Sequence, residues 1–340
     1  MIKFGAVIPQ GRLADLPSSI NSSEQYALMR KFVNRIEELG FHSAWLFDHL
    51  HPIGAAPKNQ SVFECWTTLS ALSEITKHLR LGQIVTCNSF RYPSVLAKMA
   101  ACFDVISNGR LEFGIGAGWL EEEYKAYGIP FPKNKERIIQ LEEAVQIIKK
   151  MWTQERTNFK GKYYTVEEAV NDPKPIQKPH PPILIGGGGE KLTLKVVARY
   201  GDRCNFGGTP DEYKHKLDIL KQHCISEGRP FENIEKTWHM SPALQPSGRV
   251  TIGKDEDEVN QLLKKCWIVE RLPGESFDEF ISRVKDKRMV GVPEQIVEKI
   301  EEYVELGVTY FILYFNYAMD MKLRPLEIFA KKVIPAINRL

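Results

Sequence analysis

Short runs rich in β-branched and aromatic residues alternate with longer amphipathic stretches along most of the 340 residues. The predicted strands are Ile2–Pro9, Ser43–Asp48, Leu79–Cys87, Arg110–Gly116, Ile183–Ile185, Asp202–Phe206, Lys236–Ala243 and Thr309–Phe315. The predicted helices are Ser23–Leu39, Val62–Thr76, Ser94–Ser107, Glu136–Trp152, Leu192–Tyr200, Pro210–Glu227, Pro293–Leu306 and Pro325–Asn338. Strands that alternate with helices are typical of parallel βαβ units. Eight such units favour a closed (β/α)8 barrel, and an open doubly wound sheet is the alternative.

The whole chain, 1–340, is predicted to form a single α/β domain, a TIM barrel with insertions. Residues 153–181 are rich in proline and lack a clear period, which predicts an irregular insertion over the surface. Residues 251–287 are highly charged, and we expect a helical insertion there. A chain of this length can bury a large core without disulfides or a structural metal.

Composition narrows the classes of partner. The formal net charge is only +3 and no basic block stands out, so a nucleic-acid partner is not indicated. No apolar run is long enough to span a bilayer, and the N-terminus lacks the pattern of a signal peptide. None of the six cysteines forms a C-x-x-C pair, which favours reduced core residues. We therefore expect a cytoplasmic protein with no membrane partner.

Polar, aromatic and glycine residues gather where the predicted strands end. The carboxyl ends of the strands in a (β/α)8 barrel meet at one face and build its ligand site. Residues that follow the strands include Gln10, Asp48, His49, His51, Thr86, Asn88, Gly118, Trp119 and Phe206. This distribution predicts a small-molecule site at the mouth of the barrel.

Four consecutive glycines, Gly186–Gly189, leave the fifth predicted strand and lead into a helix. Glycine lets the backbone approach an anion closely, and the N–H groups of a helix N-terminus then bind it. The run is therefore interpreted as a phosphate cradle, with a flexible turn as the alternative. It is neither a Walker loop nor a G-x-G-x-x-G motif.

The pair Asp48-His49 is a candidate for proton transfer, because a histidine can give or take a proton near neutral pH. Asp48 then fixes the histidine tautomer or bonds a cofactor ring; the alternative is a structural pair that caps a loop. His51 adds a second imidazole, and a metal site that includes His51 and His239 is the alternative interpretation. The chain lacks the further strand-end histidines that metal-dependent barrel hydrolases need, so no metal is predicted.

Of three other features, Trp119 and Arg91 keep two interpretations each. Trp119 either stacks on a ligand ring or packs at the barrel rim. Glu121–Glu123 fit the first turn of a helix, where carboxylates complement the helix dipole. Arg91 either binds a ligand anion or belongs to a surface loop.

Together these segments resemble the luciferase-like monooxygenase superfamily, and in particular its branch of oxidoreductases that use the deazaflavin coenzyme F420. The matching segments are FGAVIPQ (4–10), ELGFHSAWLFDH (38–49), the block that runs from LRLGQIVTCNSFRYP to AYGIPFP (79–132), PPILIGGGG (181–189), GDRCNFGG (201–208) and, less distinctively, 291–315. The block at 79–132 is the most specific of these.

The resemblance implies a role for most of the candidate residues. Asp48 and His49 match an acid–histidine pair near the cofactor ring. Val85 and Thr86 match a bulge that often carries a non-proline cis peptide, flanked by Asn88–Tyr92. The remaining cofactor contacts are Ala117, Gly118 and Glu122 at the ring edge, and Gly186, Gly187 and Gly188 at the phosphate. The substrate pocket is assigned to Gln10, His51, Trp119 and Phe206.

One position departs from the family pattern. The sugar-phosphate dehydrogenases of the family carry a catalytic Glu directly after the glycine of strand four, and this chain has Trp119 after Gly118. The resemblance therefore does not extend to the oxidation of a sugar phosphate.

The function implied is hydride transfer between F420 and a small organic substrate, with His49 handling the proton. The alternatives are an FMN monooxygenase supplied with reduced flavin by a separate reductase, a non-catalytic flavin-binding protein, and a metal-dependent hydrolase. A basic rim near the glycine run favours F420, whose tail is acidic. Lys191, Lys195 and Arg199 follow that run, although surface lysines on a helix are commonplace. A homodimer is expected, as is common in the superfamily.

Overall fold

The computed structural model describes residues 1–13, 15–53, 59–239, 249–285, 288–315 and 323–339. Its strands are β1 (Lys3–Val7), β2 (Ser43–Leu46), β3 (Arg80–Gln83), β4 (Thr86–Cys87), β5 (Leu111–Gly116), β6 (Arg156–Lys160), β7 (Thr165–Val170), β8 (Ile183–Gly186), β9 (Arg203–Phe206), β10 (Glu235–Trp238), β11 (Arg249–Ile252), β12 (Val290–Gly291) and β13 (Val308–Phe315). Its helices are α1 (Ser22–Glu38), α2 (Cys65–Ser73), α3 (Pro93–Ile106), α4 (Glu121–Ala126), α5 (Asn134–Thr153), α6 (Thr193–Tyr200), α7 (Pro210–Ser226), α8 (Glu256–Glu270), α9 (Phe277–Lys285), α10 (Pro293–Glu305), α11 (Arg324–Ile328) and α12 (Ile334–Ile337). A π-helical segment, Phe329–Val333, joins the last two helices.

Within the described residues, eight parallel strands close into a barrel in the order β1-β2-β3-β5-β8-β9-β10-β13. The barrel closes where β13 pairs with β1, with Phe311 opposite Phe4. The predicted (β/α)8 barrel is confirmed, and the open doubly wound sheet is wrong.

Two apolar layers hold the barrel together. Alternate strand residues point into its centre, among them Val7, Trp45, Leu184, Ile312 and Tyr314. The residues between them point outward and pack under the helices, among them Ala6, Ala44, Ile185 and Leu313. Strands buried on both faces explain why the sequence shows nearly continuous apolar runs here rather than a strict alternation. Each fully buried large side chain contributes about 1.5–3 kcal/mol.

The amino ends of the strands meet around a buried carboxylate. Glu112 accepts hydrogen bonds from Arg80 and Arg203, and its side chain is inaccessible to solvent. Arg203 also donates to Glu235 at 2.6 Å, and Lys3 bonds the same carboxylate at 2.8 Å. Burial raises the pKa of Glu112, but the two arginines outweigh it and leave the pKa below its usual value. This end of the barrel is thus closed by charges that are paired with one another.

Two segments differ from the sequence prediction. Residues 153–181 were expected to be irregular, yet β6 and β7 form an antiparallel hairpin there. The hairpin is largely exposed, so few of its residues are apolar and the period of two is weak in the sequence. The predicted third strand is divided into β3 and β4 at the Ile84–Val85 peptide, which is cis.

The remaining insertion and the chain end are helical. The segment 251–287 contains α8 and α9, and β11 leads into it beside β13. The last residues of the predicted seventh strand, 240–243, lie outside the described residues. Among the described helices, none has the length and apolar content needed to cross a membrane.

Candidate active site

A cavity of about 620 Å³ opens at the carboxyl ends of the barrel strands. Its lining includes Arg12, Phe47, Asp48, His49, Ile84, Val85, Thr86, Cys87, Gly116, Ala117, Gly118, Trp119, Glu123, Gly186, Gly187, Gly188, Gly189, Thr193, Phe206, Lys216 and His239. Pockets that hold small organic molecules have volumes of about 300–1,000 Å³, so this cavity can enclose a ring cofactor or a small substrate.

Backbone and small residues form the side of the cavity at β4, β5 and β8. The side chain of Val85 lies across this side because glycines make room for it. A Cβ atom on Gly116 would lie 2.7 Å from Val85 Cγ2, and one on Gly186 would lie 2.9 Å from Val85 Cγ1. Both distances are too short for a real contact, so alanine at either position would displace Val85. The result is a smooth apolar floor, which suits a flat ring.

Gly118 turns the chain at the end of β5. Its φ of +74° is a conformation that favours glycine, and a Cβ there would lie 1.9 Å from Tyr124 Oη. Only glycine therefore lets this loop close onto Tyr124 beside Cys87, whose sulfur would lie 2.7 Å from the added Cβ. The tight turn places Ala117 and Trp119 in the wall of the cavity.

The glycine run forms one corner of the cavity. Gly187 donates its N–H to the Asn205 carbonyl at 2.9 Å. The Gly188 carbonyl accepts a hydrogen bond from Lys216 Nζ at 3.0 Å. A Cβ on Gly189 would lie 2.8 Å from the hydroxyl of Thr193, the first residue of α6. An ammonium group, a hydroxyl and a helix N-terminus thus meet at one corner, the combination that binds a phosphate.

The cation that lines this corner is Lys216, whose Nζ also lies 3.7 Å from the exposed carboxylate of Glu190. Arg199 is paired with Glu142 at 2.7 Å and Glu227 at 2.9 Å, and Lys195 lies 3.5 Å from the same Glu227. Those two cations are therefore neutralised on the outer surface rather than forming a basic rim.

His49 is fixed by a buried carboxylate on α4. His49 Nδ1 donates to Glu123 Oε2 at 2.9 Å, and the Leu50 N–H donates to Glu123 Oε1 at 2.6 Å. The edge of the Trp119 ring packs against the imidazole, with the ring centroids 6.0 Å apart. The Nδ1–H tautomer leaves Nε2 as the nitrogen with a lone pair.

The charge states of this pair follow from burial and hydrogen bonding. Burial lowers the pKa of His49 below 6.5, although the hydrogen bond to Glu123 acts in the opposite direction. Burial raises the pKa of Glu123, but the bonds from His49 and two backbone N–H groups outweigh it and lower that pKa. At neutral pH the pair is thus a neutral imidazole on an ionised carboxylate, and Nε2 can accept a proton.

Asp48 has a different set of partners. Arg91 binds it with both terminal nitrogens, at 2.6 and 3.0 Å. Asp48 also accepts a hydrogen bond from the Cys87 N–H at 2.8 Å and one from the Cys65 thiol at 3.2 Å. The carboxylate of Asp48 therefore connects the end of β2 to the segment that follows the cis peptide through hydrogen bonds. Arg91 is a partner of Asp48 rather than of a ligand.

The opposite side of the cavity, at β1, β2 and β10, is built from larger side chains. The guanidinium carbon of Arg12 lies 3.8 Å above the centre of the Phe47 ring, and Arg12 is almost fully buried. His239 Nδ1 donates to the Ile312 carbonyl at 2.8 Å. Burial lowers the pKa of His239 to about 4, so the imidazole is neutral at pH 7.

A family model described as luciferase-like monooxygenase matches residues 2–310. The chain belongs to this family. The resemblance found in the sequence is therefore confirmed at the level of the family. The cis peptide at Ile84–Val85 also lies in the bulge where the luciferase-like family resemblance implied one.

Relatives and solved structures extend over nearly the whole chain. A protein of Amycolatopsis mediterranei named F420-dependent glucose-6-phosphate dehydrogenase is 27% identical over 341 residues, which cover 94% of this chain and 97% of that protein. A solved F420-dependent secondary alcohol dehydrogenase, in complex with an F420-acetone adduct, is 22% identical over 99% of both chains, with a TM-score of 0.77. The EDTA monooxygenase of Chelativorans sp. BNC1 is 15% identical, with a TM-score of 0.80 over 99% of this chain and 93% of that one. The two structures show the luciferase-like fold.

Four of the predicted site residues lie outside the lining of the cavity. Gln10 is buried, but its side-chain amide is hydrogen-bonded to the backbone of Phe47 and Phe63. Glu122 is exposed to solvent. The ring of His51 packs against Tyr127. Asn88 donates its amide to Tyr164 at 3.2 Å.

The other predicted residues line the cavity. The sequence analysis did not assign Arg12, Glu123 or Lys216 to the site, and it considered His239 only as a metal ligand, but all four line the cavity. Glu123 had a detectable signal. Leu120, Glu123, Tyr124 and Tyr127 follow the i, i+3, i+4, i+7 spacing of one helix face, which places Glu123 inward beside Tyr124. The sequence carries no comparable signal for Lys216 or Arg12, since neither residue lies at the end of a predicted strand.

Three possible metal-ligand atoms of Asp48, Glu64 and Cys65 lie within 4.8 Å of one another in the described part of the chain. The guanidinium of Arg91 bonds both carboxylates of this group, at 2.6 Å to Asp48 and 2.5 Å to Glu64. The group is therefore held together by an arginine, and neither His51 nor His239 belongs to it.

Proposed function

We propose that the protein is an oxidoreductase that transfers a hydride between coenzyme F420 and a small organic substrate inside this cavity. Its relatives over almost the whole chain are named F420-dependent dehydrogenases. When bound, F420 supplies a deazaflavin ring that accepts or gives a hydride. The geometric observation that carries the proposal is the imidazole of His49, held by Glu123, in the same cavity as a glycine-lined floor and an anion corner.

The residues present fit such a cofactor. Val85 provides an apolar floor that exists because Gly116 and Gly186 lack side chains, and Gly118 provides a tight turn at its edge. Lys216 and Thr193 provide a cation and a hydroxyl beside the glycine run, where the phosphate of the cofactor would be held.

His49 handles the proton in this proposal. In the oxidation of an alcohol, the hydroxyl proton passes to Nε2 of His49 as the hydride leaves the same carbon. Glu123 holds the Nδ1–H tautomer and stabilises the imidazolium that results. Asp48 acts as a positioning residue, because it fixes the backbone N–H of Cys87 and is already bound by Arg91.

The substrate is proposed to differ from that of the named relatives. Trp119 occupies the position after Gly118, where the sugar-phosphate enzymes of the family carry a carboxylate. An indole cannot exchange a proton with a sugar hydroxyl, but it can pack against His49 and narrow the cavity. We therefore propose a substrate other than glucose 6-phosphate.

The test is equilibrium binding of F420 and, separately, of FMN, followed by fluorescence. We expect micromolar or tighter binding of F420 and weak binding of FMN. Tight FMN binding with weak F420 binding would place the protein among monooxygenases that receive reduced flavin from a separate reductase. Binding of neither by folded protein would contradict the proposal. A homodimer and a cytoplasmic location stay predictions.

A further inference from the structure

We propose that the substrate carries a second hydroxyl, apart from the one that is oxidised, and that this second hydroxyl donates a hydrogen bond to Nε2 of His239. The substrate class is therefore a diol or a longer polyol. This inference rests on the proposed function, because it names the substrate class for the same cavity. It gives different tasks to His49 and His239, whose rings both line the cavity.

The hydrogen bonds of His239 leave one ring nitrogen open. His239 follows β10, and its Nδ1 lies 2.8 Å from the Ile312 carbonyl oxygen. A carbonyl only accepts, so Nδ1 carries the hydrogen and Nε2 bears a lone pair. Nε2 is buried and has no hydrogen-bond partner among the described residues, while the ring lines the cavity. Nε2 therefore lacks a donor that a ligand can bring.

The surroundings of His239 make the ring an acceptor and a poor base. Burial lowers the pKa of His239 to about 4, the hydrogen bond to Ile312 opposes this change, and the charge of Arg12 adds to it. The ring is therefore neutral at pH 7. The Phe47 ring packs against the imidazole, with the ring centroids 6.0 Å apart, and offers no O–H or N–H group. Protonation of His239 is thus unfavourable, whereas a hydrogen bond from a neutral hydroxyl is favourable.

His49 differs from His239 in the group that holds the ring. Nδ1 of His49 donates to the carboxylate of Glu123, which stabilises an imidazolium once a proton arrives. Nδ1 of His239 donates to a neutral carbonyl, which supports a positive charge far less. The reacting hydroxyl therefore passes its proton to His49, and the hydroxyl at His239 keeps its own. These two tasks need two hydroxyl groups on the substrate.

The two histidines belong to different parts of the barrel wall. His49 follows β2 and His239 follows β10, and β1 and β13 lie between these strands in the closed barrel. Neighbouring strands are about 4.8 Å apart, so the two backbone positions are separated by roughly 14 Å along the wall. Both side chains line the cavity, which shortens the separation of their rings. We therefore expect the two hydroxyls on different carbons of the substrate.

The chemical group that meets Nε2 decides affinity. A ligand hydroxyl replaces the hydrogen bond that the buried acceptor lacks, whereas a methyl group in the same place leaves Nε2 unpaired. Such a difference at a buried polar atom changes affinity by about 10- to 100-fold. A diol should therefore bind more tightly than the alcohol that has a methyl group in place of its second hydroxyl.

Three pairs of alcohols test the second hydroxyl and its distance from the first. The pairs are propane-1,2-diol with butan-2-ol, butane-1,3-diol with pentan-2-ol, and pentane-1,4-diol with hexan-2-ol. In each pair a methyl group replaces the terminal hydroxyl. Affinities are measured by ligand-observed NMR on protein loaded with reduced F420, which cannot accept a hydride, and again on protein without cofactor. We expect at least one diol to bind about 10-fold more tightly than its partner.

Variants assign this preference to His239. His239→Phe keeps a ring but has no acceptor, so the ratio of diol affinity to alcohol affinity should fall about 10-fold. His239→Leu also lacks an acceptor and replaces the first variant if that one does not fold. His239→Gln keeps a donor for the Ile312 carbonyl and an acceptor oxygen, and should retain part of the ratio. His51→Phe is the matched control and should leave the ratio unchanged, since His51 lies outside the described lining.

The affinity of the wild type for F420, titrated by fluorescence, separates this inference from the proposed function. If the wild type binds F420 but prefers no diol to its partner, the second hydroxyl is overturned and the proposed function stands. A preference that survives in both His239→Phe and His239→Leu overturns it as well. If the wild type does not bind F420, the proposed function fails, and the ratios measured without cofactor still decide the role of His239.

Discussion

Both ends of the barrel bury charged and polar side chains, but they leave them in different states. At the amino ends of the strands, Glu112 is bound by Arg80 and Arg203, and Glu235 by Arg203 and Lys3. At the carboxyl ends, Nε2 of His239 lacks a partner in the described structure.

The difference shows how one fold separates stability from function. Buried ions that are fully paired hold strands together and offer nothing to a ligand. Buried groups that keep a free lone pair or donor weaken the empty protein and are satisfied when a ligand binds. The number of buried polar and charged groups therefore says less about function than which of those groups still lack a hydrogen-bond partner.

Glu112→Gln should produce the largest change. It leaves Arg80 and Arg203 buried without their carboxylate, and breaking such a pair lowers the free energy of unfolding by about 3–5 kcal/mol. Urea denaturation measures this. The control is Glu121→Gln, whose exposed pair with Lys125 should contribute less than about 1 kcal/mol. If Glu112→Gln left the free energy of unfolding unchanged but abolished F420 binding, the amino end of the barrel would serve function rather than stability. That result would contradict the distinction between the two ends.

His49→Gln should lower kcat/KM for F420 reduction about 100-fold or more, because the proton acceptor is removed. Its effect on stability should stay within about 1 kcal/mol. His51→Gln is the matched control, since that ring lies outside the cavity and should leave kcat/KM nearly unchanged. Equal losses in the two variants would mean that His49 has no special role.

Lys216→Met should weaken F420 binding about 10-fold, because one charged contact to the phosphate is lost. Lys214 on the same helix is exposed, and Lys214→Met should bind F420 like the wild type. Fluorescence titration compares the two. The same affinity in both variants would remove Lys216 from the phosphate corner.

The smallest effect is a shift in pH dependence. Activity in the direction of alcohol oxidation should fall as pH drops through the pKa of His49, which lies below 6.5. The Glu123 carboxylate favours the protonated imidazole, so Glu123→Gln lowers that pKa further. The acidic limb of the kcat/KM profile should therefore move to lower pH, and a shift to higher pH would contradict the assigned charge states.

The barrel could be predicted because its strands are buried on both faces and its helices repeat with a clear period. The β6–β7 hairpin could not, since its exposed residues carry little apolar pattern. The site was predictable where glycines or a strand end mark it, as at His49 and Gly186. Gln10 shows the limit: it follows a strand, but its amide serves the backbone of Phe47 and Phe63.

A shift of one helix residue explains why Glu122 lies outside the cavity lining while Glu123 belongs to it. Successive residues on a helix point about 100° apart, so Glu123 faces His49 while Glu122 faces solvent. Arg12 and Lys216 enter the cavity from a loop and a helix that only the closed barrel brings together. Their positions depend on tertiary contacts, which no local pattern encodes.

Turnover by the purified protein tests the central claim most directly. A panel of small alcohols and hydroxy acids is offered with F420, and separately with reduced FMN and oxygen. The account predicts that a member of the panel bleaches the visible absorbance of F420 and that His49→Gln slows this about 100-fold or more. Oxygen uptake that depends on reduced FMN and substrate, without any reduction of F420, would contradict it.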